Sequence, residues 1–345
     1  MTKKPQILLI YTGGTIGMVK DFKTGALRTF NFDKLLNHIP EINLLNCSIE
    51  SISLKNPIDS SNMNPATWIS LAEIIEKNYD KFDGFVVLHG SDTMSYTSSA
   101  ISFMFENLSK PIIFTGSQLP IGDLRTDAKE NLITSIEIAS SQEDGKPIVQ
   151  EVCLYFEYKL YRANRTTKVN AEHFEAFTSP NFPPLCESGV HLKFSKQLFF
   201  KSNESEALKV RKELNNNIVI LKIFPGITRA VVEQILSIKG LNGMIIETYG
   251  SGNAPTEKWF INLLKKAIDK GLFIVNVTQC IGGSVILGHY ETSEELNKIG
   301  IISGKDITTE SALAKLMYML GQKIPKSEFK SIFETALRGE MSLNY

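Results

Sequence analysis

Ile7-Leu8-Leu9-Ile10-Tyr11-Thr12-Gly13-Gly14-Thr15-Ile16-Gly17 is the stretch from which the fold is read. The apolar run Ile7 to Ile10 has the form of a buried strand, and it stops at two glycines and two threonines. Glycines let the backbone approach its surroundings unusually closely, so the strand end sets reactive hydroxyls beside tightly packed main chain. A hydroxyl nucleophile is presented in this way.

The same rhythm continues down the chain. Apolar runs at Phe85–Leu88, Pro111–Thr115 and Glu151–Tyr155 alternate with helical patterns at Pro65–Tyr79, Thr93–Leu108 and Arg125–Ser141. This predicts βαβ units around a mainly parallel sheet with helices on both faces. Between about Gln197 and Asn217 the composition turns to Lys, Ser, Asn and Glu, and no strand-like run follows Phe200. A second alternation then begins, with strands at Ile218–Ile223, Gly243–Glu247 and Phe273–Val277. Helices are expected at Thr228–Ile238, Pro255–Lys270, Thr309–Leu320 and Lys326–Leu337. The expected organisation is a larger N-terminal α/β domain over residues 1–196, a linker over 197–217 and a smaller C-terminal α/β domain over 218–345. In open parallel sheets ligands bind beyond the carboxyl ends of the strands. Chemistry is therefore sought in Thr12 to Gly17, His89 to Met94 and Thr115 to Pro120.

Composition narrows the function. The 37 basic and 37 acidic residues cancel, and no basic tract points to nucleic acid or an anionic membrane. A small neutral or zwitterionic ligand suits that balance. The N-terminus lacks the apolar core of a signal peptide, and no segment nears the ~20 apolar residues that span a bilayer. Cys47, Cys153, Cys186 and Cys280 are scattered without a Cys-x-x-Cys pair, which suggests reduced thiols in the cytoplasm. The five histidines are dispersed too, so no metal site is expected.

Each motif has an ordinary reading beside the chemical one. A dinucleotide loop needs Gly-x-Gly-x-x-Gly leading into a helix. Here Thr12 takes the place of the first glycine, and Met18 to Thr29 reads as a loop or hairpin. In His89-Gly90-Ser91-Asp92-Thr93-Met94, either Asp92 or Thr93 suits the N-cap of the following helix as well as a catalytic role. His89 reads as structural rather than as a base. Asp59-Ser60-Ser61-Asn62-Met63-Asn64-Pro65 is explained in part by capping from Ser61 or Asn64 with Pro65 in the first turn, which leaves surplus hydroxyls. Lys168, in Asn164-Arg165-Thr166-Thr167-Lys168, takes its meaning from the other motifs.

Together these motifs, in this order and spacing, resemble the type I, cytoplasmic bacterial L-asparaginases of the asparaginase/glutaminase family. Thr12-Gly13-Gly14-Thr15-Ile16-Gly17, His89 to Met94 and Thr166-Thr167-Lys168 carry the resemblance. Leu124-Arg125-Thr126-Asp127 with Asn131-Leu132, Tyr249 to Pro255, Val277 to Cys280 and Leu337 to Glu340 extend it along nearly the whole chain. The resemblance implies Thr15 as the nucleophile on the side-chain amide of asparagine. It implies Ser91, Asp92 and Lys168 as the hydroxyl, carboxylate and amine that handle protons, with Asp92 also holding the substrate ammonium. Asp59, Ser60 and Ser61 match the segment that binds the amino-acid head, and Ser117 and Asn253 are further substrate-binding candidates. No cofactor is implied, and relatives assemble as dimers or dimers of dimers. A threonine hydroxyl needs a base, and Lys168 serves only when neutral.

Three departures accompany the match. Ser91 stands where the family usually has threonine, which keeps the oxygen and loses a methyl group. Many relatives place a tyrosine soon after TGGTIG, whereas this chain reads Lys23-Thr24-Gly25-Ala26-Leu27 with Phe22 nearby, a loop that still suits a lid. Some type I members carry an activating second asparagine site. Thr167, Thr278, Gln279 and Cys280 fall in its segments, but Glu247 replaces the expected arginine and would repel a carboxylate. Glutaminase activity, differing by one methylene of substrate, and a catalytically silent amino-acid sensor remain open alternatives.

Overall fold

The computed structural model describes residues 4–20, 27–29, 39–201, 206–288 and 291–342, so the expected lid at Lys23–Leu27 lies outside them except for Leu27. The chain divides into two compact units, Met1–Lys212 and Glu213–Tyr345.

The main-sheet strands of unit 1 are β1 (Gln6–Tyr11), β2 (Ser48–Ser53), β3 (Gly84–Leu88), β4 (Ile112–Thr115), β5 (Val152–Phe156), β6 (Lys159–Arg162), β7 (Cys186–Ser188) and β8 (Leu192–Phe194). They form one eight-stranded sheet in the order β8-β7-β6-β5-β4-β3-β1-β2. From β2 to β5 every pairing is parallel, and β6, β7 and β8 add an antiparallel edge. The helices are α1 (Pro65–Asn78), α2 (Met94–Met104) and α3 (Ala128–Ser140). β1, β3 and β5 are buried along almost their whole length, which is why they read as continuous apolar runs. Ile7, Leu9, Val86 and Ile113 share a core with Leu132, Ile136 and Ala139 of α3. The alternate residues Leu8, Ile10, Val87 and Phe114 are buried on the opposite face, so both faces are covered.

Met18–Lys20 and Leu27–Thr29 pair as an antiparallel hairpin, so the glycine loop leads into no helix. The Rossmann reading fails on that point. The helix expected through Leu108 ends at Met104, because Phe105–Glu106 turns into a short strand that pairs with Lys209–Val210. That pairing lies within the stretch expected to hold no strand. Two residues are too few to leave a sequence pattern.

Unit 2 has four parallel strands in chain order: β9 (Ile218–Lys222), β10 (Gly243–Thr248), β11 (Phe273–Thr278) and β12 (Ile302–Ser303). Its helices are α4 (Arg229–Leu236), α5 (Lys258–Asp269), α6 (Glu291–Lys298), α7 (Thr309–Gly321) and α8 (Lys326–Phe333). Met244, Ile246 and Ile274 form its core with Phe260 and Leu264 of α5.

Candidate active site

Tyr11, Leu88 and Thr115 stand in register at the carboxyl ends of β1, β3 and β4, so the loops that follow leave the sheet at one edge. Thr12 is fixed twice to Leu88 O, by its N–H at 3.0 Å and its hydroxyl at 2.9 Å. Its carbonyl accepts from Ile58 N at 2.8 Å. The Thr12 oxygen is therefore committed to structure. Thr15 opens the single turn Thr15–Gly17 and stays half-buried. Gly13 and Gly14 have φ of 131° and 90°, a region hostile to side chains. A Cβ on Gly14 would lie 2.5 Å from Gly90 N, so the first two loops touch through bare backbone.

Ser91–Thr93 forms one turn before α2. Neither expected cap acts as one. Thr93 stands at the N-cap position without capping, and its hydroxyl instead donates to Ser60 O at 2.7 Å. The Asp92 carboxylate instead accepts from Lys168 Nζ at 2.7 Å. Lys168 Nζ also donates to Ser91 Oγ at 2.9 Å. Lys168 itself lies on the short strand Thr167–Lys168, which is paired with Phe177–Thr178. The lysine side chain is 16% exposed and that of Asp92 65%, so the carboxylate faces solvent while the amine backs it.

His89 is fully buried. Its Nδ1 lies 2.7 Å from Gly90 O and its Nε2 3.0 Å from Thr97 Oγ1, which also accepts from Trp68 Nε1. A carbonyl only accepts, so Nδ1 carries the proton and Nε2 accepts from Thr97. Burial pushes the imidazole down to about 4, against the opposing bond to Gly90 O. A neutral histidine locked in this way is structural.

Asp59 accepts from Ser61 N at 2.8 Å and caps the turn Ser60–Asn62. The backbone and side-chain bonds from Ser61 hold its carboxyl below the usual range. Ser60 is buried close to Gly90, where a Cβ would sit 2.6 Å from Ser60 Oγ. Asn64 caps α1 by accepting from Thr67 N at 3.2 Å, with Pro65 in the first turn. The buried Ser117 donates to Leu119 O at 2.6 Å. Beside it Gln118, which carried no signal in the sequence, accepts from Ser91 Oγ at 3.0 Å. Its position in a strand-end loop was the one available hint.

The structure thus gathers Ser91, Asp92 and Lys168 through side-chain bonds, and joins the loops of Thr15 and Ser60 to them through Gly14 and Gly90. Thr167 adjoins Lys168. The remaining candidates belong to unit 2. Asn253 pairs with Tyr249 in an isolated bridge. Glu247 accepts from Thr309 Oγ1 at 2.8 Å and lies 3.6 Å from Lys222 Nζ. Thr278 donates to Gly250 O at 2.6 Å and accepts from Cys280 N at 3.0 Å. Gln279 Nε2 donates to Ile223 O and Glu247 O at 2.6 and 2.9 Å, and the Cys280 thiol is free and exposed. Among the described residues, no group of three or more His, Cys, Asp or Glu is placed to hold a metal ion.

A hydroxyl on a glycine turn, a hydroxyl–amine pair and an exposed carboxylate together suit acyl transfer from an amide. Comparison with known proteins agrees. The family model "Asparaginase, N-terminal" matches residues 6–200, and "Glutaminase/Asparaginase C-terminal domain" matches residues 217–333. L-asparaginase 1 of Escherichia coli strain K12 is 40% identical over 341 residues, covering 99% of each chain. The crystal structure of L-asparaginase I from Vibrio cholerae is 41% identical with a TM-score of 0.90, over 99% of this chain and 100% of that one. The thermostable L-asparaginase from Thermococcus kodakarensis is 29% identical with a TM-score of 0.87, over 98% and 99% of the two chains.

Proposed function

The chain belongs to the asparaginase family, and from that premise we propose that it hydrolyses L-asparagine to L-aspartate and ammonia through an acyl intermediate on Thr15. An amide is a poor electrophile with a poor leaving group, so a covalent intermediate divides one hard step into two. Thr15 Oγ1 attacks the side-chain amide carbon, and its proton passes by way of Ser91 to a neutral Lys168. Backbone N–H groups of the Gly13, Gly14 and Gly90 loops stabilise the tetrahedral oxyanion. The C–N bond breaks, ammonia leaves with the returned proton, and water then releases aspartate. Asp92 holds the substrate ammonium, while Asp59, Ser60, Ser61 and Ser117 bind the rest of the substrate.

The observation that carries this reading is the placement of Lys168 Nζ, 2.9 Å from the Ser91 hydroxyl and 2.7 Å from the Asp92 carboxylate. The reading includes a cytoplasmic location, supported by four free cysteines. It also includes a homo-oligomeric form, a dimer or dimer of dimers, for which the exposed Phe224, Val231 and Ile238 offer apolar surface to cover.

Ammonia release from L-asparagine, L-glutamine and D-asparagine over a range of concentrations tests the proposal. L-asparagine is expected to turn over fastest. Thr15→Ala should abolish turnover while calorimetry still detects binding. A Thr15→Ala variant with parental turnover would exclude Thr15 as the nucleophile.

A further inference from the structure

We infer that Gln118 is a positioning residue of the reaction: its amide sets the direction in which the Ser91 hydroxyl proton points, and ties the segment after Lys168 to the loop after β4. The inference rests on the hydrolase reading above. Gln118 Nε2 lies 3.1 Å from Ala171 O and 3.1 Å from His173 O. Both partners are carbonyls and only accept, so the nitrogen of the amide must face them. Oε1 is then the atom 3.0 Å from Ser91 Oγ. That oxygen also only accepts, so Ser91 donates to it and turns its lone pairs to Lys168 Nζ, which donates at 2.9 Å. The result is a directed chain, from Lys168 N–H to Ser91 Oγ and from Ser91 O–H to Gln118 Oε1.

The direction matters for chemistry. With its O–H on Gln118, Ser91 accepts from Lys168 in the resting site; to protonate the departing ammonia it turns that O–H from Gln118 to the leaving nitrogen while it takes a proton from Lys168. For the opposite transfer, the hydroxyl must turn from Gln118 to a neutral Lys168. Gln118 makes and breaks no covalent bond. It selects between the two orientations of the group that relays.

Gln118 is itself held in place. Its N–H donates to Asp127 at 2.9 Å and Leu119 N–H does so at 3.1 Å, with Asp127 buried at the start of α3. Asn131 Nδ2 bonds both Asp127 and Gly116 O, at 3.3 and 3.0 Å. This gives the Asp127 and Asn131 motif, unused by the catalytic reading, its task of fixing the loop that aims Gln118.

Steady-state kinetics on two variants tests the inference. Gln118→Met removes all three side-chain bonds, whereas Gln118→Glu keeps the acceptor toward Ser91 and loses both donors. Gln118→Met is expected to lower kcat about tenfold or more with KM within about threefold and an unchanged melting temperature, since misorienting a relay group weakens the transition state more than binding. Gln118→Glu should restore kcat at least about threefold over Gln118→Met. A kcat for Gln118→Met within twofold of the parent, a loss confined to KM, or a Gln118→Glu no better than Gln118→Met would each overturn the inference, the last leaving Gln118 a loop tether. Gln118→Leu repeats the measurement if the methionine variant does not fold. A parent without ammonia release would overturn the hydrolase reading itself, whereas the ratio of variant to parent bears on Gln118 alone.

Discussion

Ser91 has its hydroxyl engaged on both sides, by Lys168 Nζ and by Gln118 Oε1, and these partners decide what substitution does. Ser91→Thr keeps the oxygen and is expected to remain active. Ser91→Ala removes the relay and should lower turnover by ~10²- to 10⁴-fold, the usual worth of positioned acid–base catalysis; parental rates in that variant would remove Ser91 from the mechanism. Glu247 argues by its occupancy. Its carboxylate is already bonded to Thr309 and close to Lys222, so a second asparagine finds an anion where an activating site needs a cation. Saturation with L-asparagine should be hyperbolic, and clearly sigmoidal rates would restore the allosteric site. At this scale the candidates Ser91 and Asp92 were readable because they adjoin a glycine at a strand end, and the structure bonds both to Lys168. Gln118 was not readable, because an amide acquires its meaning only from the three groups placed around it. Asp92 and Thr93 went the other way: their sequence context fits a cap, and tertiary partners claimed both side chains.

Elements were legible in proportion to their burial. β1, β3, β4 and β5 are enclosed on both faces and show as apolar runs, whereas β2, Ser48–Ser53, lies at the sheet edge and has only Ile49 and Ile52 as apolar residues, three apart, which fits neither a run nor a period of two. It escaped notice for that reason. β6 to β8 are short and partly polar, and α6 is almost wholly polar, so neither set has the long periodic pattern on which such reading depends. Helix starts were clearer than helix ends. Asn64 with Pro65 marks the first turn of α1 chemically, and Asn64→Ala should cost about 1 kcal/mol of stability, read from denaturant midpoints at constant slope. Ends are set by what the chain meets next, as when α2 yields to the strand pairing at Phe105.

For the molecule as a whole, an alternation of buried strands and helices on either side of a polar stretch was enough to suggest two α/β units. The antiparallel edge of the first was not visible, because each of its pairings depends on a partner strand and not on a local pattern. Charge is distributed less evenly than a net of zero suggests. Burial, with Asp127, Glu130 and Glu175 nearby, raises Glu157 from 4.5 to about 7. A carboxyl raised on folding binds its proton more tightly in the native state, so its contribution is complete below about 4.5 and is lost as pH climbs through about 7. Glu157→Gln should therefore melt higher than the parent at pH 8 and nearly with it at pH 4, and equal melting curves at both would contradict this. His89 acts in the opposite sense: its value is lowered from 6.5 to about 4, so its contribution is present above 6.5 and is lost as pH falls toward 4. The bonds that draw the candidate site together, Thr12 to Leu88 and Lys168 to Ser91, span 76 and 77 residues of chain. Contacts that distant carry the entropic cost of loop closure, so they stand only with the parallel sheet, whose β1–β3 pairing closes loops of similar length. The proposed nucleophile Thr15 and the proposed base Lys168 lie far apart in the chain, so on the proposed mechanism no fragment that lacks either one, or the sheet between them, should release ammonia.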